Sequence, residues 1–428
     1  MHLVLTFAAL AYAAALFYLA WRTDRSPNAA RWVDQPIGYA LALSVYCTSW
    51  TFFGAVGAAA TSGWTYLPIY LGPICLFLFG QPLLRRIAEI AQRENITSIA
   101  DFISSRYGKS RSVAALVTLI ATLAILPYIA LQLKSIGMSA SAMLHAEAAK
   151  PPAPPALLVA FIAAALALFA SMFGARRYEA SGAGRGLLAA VSVEGIVKLA
   201  ALTLVGIYAA VLLFSAAPAD RTAGLQEYSR LFSLAALQPN FLTITVLSMG
   251  AILCLPRQFY VGFVKYRSES DLKAAHWGMP IYLGITALVI VPITISGLAL
   301  LPKTAPADLY VLDLPLAHQA QGIALLAFLG GFSAATGMVI VECVAVSTMI
   351  SNDLIAPFLL RKGAAEGTDY GAQIVLARRI AIAGILALAF VVYLGIDQRE
   401  NLASLGLVAF AAAAQFAPSL LGAIYWKK

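Results

Sequence analysis

"LSVYCTSWTFFGAVG", residues 43–57, interrupts a stretch that is otherwise apolar enough to lie in lipid. Hydrocarbon offers a hydroxyl no partner, and glycine weakens a helix. Yet Tyr46, Cys47, Thr48, Ser49, Trp50 and Thr51 stand together at its centre, followed by Gly54 and Gly57. Two readings compete. Small residues ease helix packing in membranes. Alternatively, the helix is interrupted to bind something at mid-bilayer. The rest of the chain decides between them.

The surroundings are those of a membrane protein. Of 428 residues 61% are hydrophobic and 11% charged, with a mean hydropathy of +0.82; a soluble domain carries about 25% charged residues. Eleven apolar stretches are long enough to cross a bilayer as helices, at 3–21, 38–58, 65–84, 113–138, 156–174, 187–214, 241–264, 278–301, 321–350, 376–395 and 402–425. The first has no basic segment before it and is followed by Arg22, Arg25 and Arg31. It therefore reads as a retained span rather than a cleaved leader.

The net charge of +9 is a topology signal rather than a nucleic-acid footprint. With the N-terminus outside and eleven crossings, the inner loops hold 22 of the 29 Lys and Arg, counting Arg257 with the loop after the seventh stretch. That bias sets the C-terminus inside. The chain is expected in a bacterial inner membrane, with the bilayer as partner and no nucleic acid. Cys47, Cys75, Cys254 and Cys343 lie within spans without CxxC spacing, and the four histidines are scattered. A disulfide framework or zinc site is not expected. The absence of P-loop, GxSxG and HExxH motifs argues against ATP-driven transport and against an enzyme.

Residues 85–112 read as a polar connector carrying an amphipathic helix, and "AKPPAPPA" at 149–156 as a stiff turn. Short helical pieces are expected in 216–240 and 302–320. A second span also looks broken: "LTITVLSMGAILCLPRQFYVGF", residues 242–263, where Pro256 is followed by Arg257 and Gln258. Proline removes a backbone hydrogen bond and clashes with the preceding turn. The broken spans are the second and the seventh. Five is odd, so spans 2–6 and 7–11 would cross the membrane in opposite senses, as inverted repeats each led by an interrupted helix. Secondary transporters build mid-membrane sites from such breaks. The expected fold is an all-α polytopic membrane protein with a five-plus-five inverted-repeat core and one extra N-terminal helix. It forms a single domain over 1–428, divided into 1–37, a first repeat at 38–214 and a second at 215–428.

Ionisable residues inside the membrane need a reason, since each costs about 2.5–3.5 kcal/mol on insertion scales. Glu194 and Lys198 are spaced i,i+4 and read as a self-neutralising pair. Lys134, near the end of span 4, reads as a snorkelling side chain. Glu342, mid-span and without a local partner, is the candidate for proton coupling.

The stretches "SWTFFGAVGAAATSGWTYLPIYLGP" (49–73), "ITSIADFISSRYGKSRSVAALVTLI" (96–120) and "SAATGMVIVECVAVSTMISNDL" (333–354) resemble the sodium/solute symporter family. "YCTSWTFFGAVG", "ITSIADFI" and "LPYIALQLKSI" are more similar to the transporter-like N-terminal part of membrane sensor histidine kinases that respond to nutrients such as histidine. The resemblance spans nearly the whole chain. It implies a secondary transporter, or a transporter-derived protein, for a small amino-acid-like or carboxylate solute, working by alternating access. The alternative it implies is a solute-sensing input domain whose kinase, or a response regulator beyond it, is the downstream partner. No kinase segment is present before Lys428, so a fragment or shortened form is expected.

The same resemblance implies a sodium ion, the one cofactor expected, held between the break of span 2 and span 9. The matching positions are Ser44, Cys47, Ala334, Gly337 and Met338. Two hydroxyl-bearing positions have become Gly337 and Met338, so the site reads as degenerate unless Ser333 and Thr336 rebuild it. For the solute, the resemblance together with the breaks points to Tyr46, Thr48, Ser49 and Trp50 in span 2, Tyr128 and Gln132 in span 4, and Pro256, Arg257 and Gln258 in span 7. An acidic position before the first break is Tyr46 here, and aromatic positions before Pro256 are Ile252 and Ser248. Proline specificity is therefore not expected.

Overall fold

A computed structural model describes residues 2–145, 152–174, 184–361, 370–397 and 400–426. The start of the 149–156 turn, Arg176 and Arg177, and Lys427 and Lys428 lie outside the described residues. Everything described is helix, turn or loop, with no strand among the described residues.

A helix, or a bent helix pair, lies at each of the eleven apolar stretches; nine of these are long and apolar enough to cross a membrane among the described residues. The eleven are α1 (His2–Arg25), the bent α2 (Pro36–Tyr46 and Trp50–Tyr66), α3 (Pro68–Phe79), α4 (Arg111–Leu144), α5 (Ala156–Gly174) and α6 (Arg185–Ser215). There follow the bent α7 (Phe241–Cys254 and Pro256–Val264), α8 (Glu269–Leu300), α9 (Gln321–Leu359), α10 (Tyr370–Gly395) and α11 (Leu402–Tyr425). Seven are long apolar helices, two are bent pairs and two are shorter apolar helices. Side chains such as Phe7, Leu123, Phe161, Leu204 and Leu388 stand exposed on their outer faces. That is the surface expected of a chain solvated by lipid.

Local chemistry starts and stops the elements. The 85–112 connector holds two helices, Gln81–Arg93 and Ile99–Arg106. Ser98 accepts the Asp101 N–H at 3.0 Å while Asp101 accepts the Thr97 N–H at 2.9 Å, so two otherwise orphaned donors are satisfied at that N-terminus. Helices Pro218–Leu231 and Tyr310–Ala317 fill the two longer loops on the opposite face. On the basic face Asp34 pairs with Arg185 at 3.2 Å and Arg267 at 3.0 Å, joining three connections.

Much of the packing follows the two-fold that the five-span spacing predicts, although α6 also packs closely on α8. α2 packs on α8, and α7 on α3; α2 on α6, and α7 on α11. α4 packs on α11 and α10, as α9 does on α6 and α5. The pairs α3–α8, α4–α9 and α5–α10 map onto themselves. α1 stands outside this scheme, against α6 and α9. The chain is a multi-pass helical membrane protein.

Three expectations are corrected. Arg257 is not a loop residue: it is fully buried at the start of the second half of α7. Lys134 does not snorkel. Its ammonium donates to the Asp397 carbonyl at 3.0 Å and the Glu400 carbonyl at 2.7 Å, closing the end of α10. Glu194 and Lys198 do not bond each other, because each finds a partner on another helix.

Candidate functional site

The two breaks are alike in construction. In α2 the helix stops at Tyr46, Cys47 is extended (φ −76°, ψ 111°), and the chain resumes as a π turn at Trp50–Gly54. In α7 Leu255 is extended (φ −61°, ψ 127°), Pro256 opens the next helix, and a π turn follows at Tyr260–Val264. The halves bend by 72° and 58°. A π turn inside an α-helix is frequent at functional sites. The mid-span hydroxyls of α2 are therefore spent on a broken helix rather than on ordinary packing.

The first break is held by α4. The Ser49 N–H donates to the Gln132 Oε1 at 3.1 Å, and the Ser49 hydroxyl accepts from Ser135 at 2.5 Å. Thr48 Oγ1 accepts the Trp50 N–H at 3.2 Å and shares a hydrogen bond with the Tyr128 hydroxyl at 3.1 Å. Tyr46 and Tyr70 donate to the backbone carbonyls of Ile69 and Thr51. Trp50 packs edge-on against Phe410 of α11 at 4.5 Å and Tyr128 at 6.4 Å, with Tyr46 also against Phe410 at 5.8 Å. All of these side chains are buried.

The second break brings a charge into that cluster. Arg257 lies over the Tyr128 ring at 4.7 Å and pairs with Glu342 of α9 at 2.5 Å, both residues fully buried. Arg257 Nε and Nη2 and Glu342 Oε1 are buried and have no hydrogen-bond partner among the described residues. A buried ion pair is stable only when its remaining donors and acceptors are met. Gln258 faces the other way, its Nε2 donating to the Leu43 carbonyl at 3.5 Å.

Around the implied ion site the partners differ from expectation. The Lys198 ammonium donates to the carbonyls of Ser44 and Cys47, each at 2.6 Å. Ser333 accepts from the Tyr12 hydroxyl at 2.7 Å and donates to the Glu194 carbonyl at 3.3 Å. Thr336 donates to Glu194 Oε1 at 3.2 Å. Ala334, Gly337 and Met338 are buried in α9 on the same helical segment.

The structure thus gathers Thr48, Ser49, Trp50, Tyr128, Gln132, Arg257 and Glu342 into one cluster, with Tyr46 on its edge and Pro256 shaping it. Gln258 stands apart. Phe410, Ser135 and the contact of Lys198 with the break were not foreseen. Nothing near Phe410 in sequence distinguishes it from the other apolar residues of α11. Lys198 was visible as a mid-span charge, but its partners are backbone carbonyls, which have no sequence signature.

A membrane protein whose two broken helices meet at mid-span within pseudo-symmetric repeats has the fold of secondary transporters. No family model matches the chain, and no curated protein matches it. Among solved structures it resembles a Na+-coupled sialic acid symporter in a substrate-bound outward-open state, at 14% identity and a TM-score of 0.68, over 99% of this chain and 87% of that one. It also resembles the manganese transporter of Eremococcus coleocola, at 15% identity and a TM-score of 0.54, over 90% of this chain and 78% of the other. These likenesses establish the fold.

Proposed function

We propose that this chain is a secondary transporter, or a protein derived from one, that binds a small amino-acid-like or carboxylate solute at the meeting point of the two breaks. The observation that carries the reading is the unpartnered edge of the buried Arg257–Glu342 pair. Guanidinium Nε and Nη2 form a fork that matches a carboxylate. The free Glu342 oxygen suits an ammonium, and an amino acid offers both groups. Trp50, Tyr128 and Phe410 supply apolar walls, while the polar groups fix orientation. The domain is taken as the whole of 1–428, in a bacterial inner membrane with its N-terminus outside.

The test is a thermal-shift screen of purified protein against amino acids and simple carboxylates, followed by uptake into proteoliposomes. Stabilisation by carboxylate-bearing solutes is expected, lost in Tyr46→Ala and Trp50→Ala while both variants still insert. Response only to uncharged sugars or to polyamines sinks the reading. Binding without uptake selects the second reading, a sensing module that reports occupancy to a downstream kinase. The Lys198 contact favours that alternative. Where the break is held by a side chain, solute can shift a conformational equilibrium without an ion gradient.

A further inference from the structure

The breaking of α2 leaves backbone carbonyls at the C-terminal end of its first half, where the helix dipole is negative. Ser44 O and Cys47 O lie there, and such a pair attracts a cation. In this chain the cation is already attached. Lys198, almost fully buried on α6, reaches across to both oxygens at 2.6 Å. An ammonium has three donors and no acceptor, so it fits a carbonyl pair without further help.

The side of the site formed by α9 has been rebuilt to match. Glu194, one turn before Lys198 on α6, points at α9, where Thr336 donates to its Oε1. A Cβ built on Gly337 would overlap the Glu194 carboxylate. At the position where the symporter resemblance implies a hydroxyl ligand, a side chain would therefore have to displace the Glu194 carboxylate. Ser333 and Thr336 bond to Tyr12 and Glu194, and the α2 carbonyls with which they would have to complete an ion cage already hold the Lys198 ammonium. The residues present do not fit a sodium ion. An ion at Ser44 and Cys47 would have to share two carbonyls with an ammonium in a low-dielectric setting, where like charges repel strongly.

We infer that Lys198 is the resident cation of this site: its ammonium, tethered to α6, does the work a sodium ion would do in holding the broken α2, and the chain is indifferent to sodium. Glu194 is its positioning partner. It supplies negative charge one turn away on the same helix, and its carboxylate fills the space beside position 337. Through this contact the break of α2 and the body of α6 are linked permanently rather than on ion binding.

The test needs no solute, so its outcome is independent of the transporter reading. Full-length protein keeping only Cys47, with Cys75, Cys254 and Cys343 changed to Ala, is reconstituted in liposomes. Alkylation of Cys47 by a small maleimide is then followed in sodium chloride and in choline chloride at equal ionic strength, alongside melting temperature. The expected result is the same labelling rate and melting temperature in both salts. Lys198→Met, which keeps the length and removes the donors, should label several-fold faster in choline than the parent. Sodium-specific slowing of labelling in the parent, or a sodium-specific rise in its melting temperature, overturns the inference. So does parental labelling in Lys198→Met. Should that variant fail to fold, the salt comparison on the parent decides alone.

Discussion

Arg257 and Glu342 show how much of the centre depends on one contact. They are 85 positions apart and fully buried, and their ion pair joins the second break to α9. Removing one member of such a pair strands a charge and costs roughly 3–5 kcal/mol, whereas replacing both with apolar side chains is often near neutral. Glu342→Gln should therefore lower the melting temperature sharply, and Arg257→Met with Glu342→Leu should recover most of the loss while abolishing carboxylate binding. A double variant as unstable as the single one would show that the pair is not the source of the effect. This contact also revises the reading of Glu342 as a proton carrier without a partner: its carboxylate is the counterion of Arg257. Trp50 acts through packing. Trp50→Ala removes contacts to Phe410 and Tyr128 and should cost roughly 3–5 kcal/mol in a thermal melt.

Between elements, the second half of α2 is fixed by a carboxylate from the opposite face. Asp308, in the loop between α8 and α9, accepts the Leu402 N–H at 3.0 Å and so caps α11. It lies so close to α2 that a Cβ on Gly57 would overlap it. That is the reason for this glycine in the opening stretch: close approach, with no demand for unusual backbone angles. Burial is the largest influence on Asp308 and pushes its carboxyl from 3.8 up to about 6, against the lowering effects of the Leu402 N–H and Lys134. A carboxyl raised on folding binds its proton more tightly in the folded state. The stability it adds is full below the unfolded value near 4 and is lost as pH rises through about 6. Within that window the slope is about 1.4 kcal/mol per pH unit. Moving the parent from pH 7 to pH 4.5 should raise its stability by this contribution. Asp308→Asn keeps the acceptor for Leu402 and should lack it. Parallel pH profiles for the two proteins would remove Asp308 from the account.

For the whole molecule, an eleven-crossing topology with the basic loops inside would set the orientation. A reporter fused after the C-terminus should behave as cytoplasmic, on the same side as one inserted in the loop after Arg93. A periplasmic C-terminus would break the count, most directly at the 216–240 connection. The positions of the apolar helices, both breaks and the five-helix interval between them were legible in the sequence. Each rests on local chemistry: hydropathy over a bilayer's thickness, a proline that cannot donate, and hydroxyls where lipid offers no partner. Which side chains complete the breaks was decided by the tertiary structure alone. Lys198 reaches carbonyls 154 and 151 positions away, and Phe410 and Glu342 arrive from helices of the other repeat. A backbone carbonyl looks the same at every position, and a charge in mid-span does not announce its partner. Only the packing of α6 and α9 against the broken α2 determines that the cation at this site comes from the chain itself.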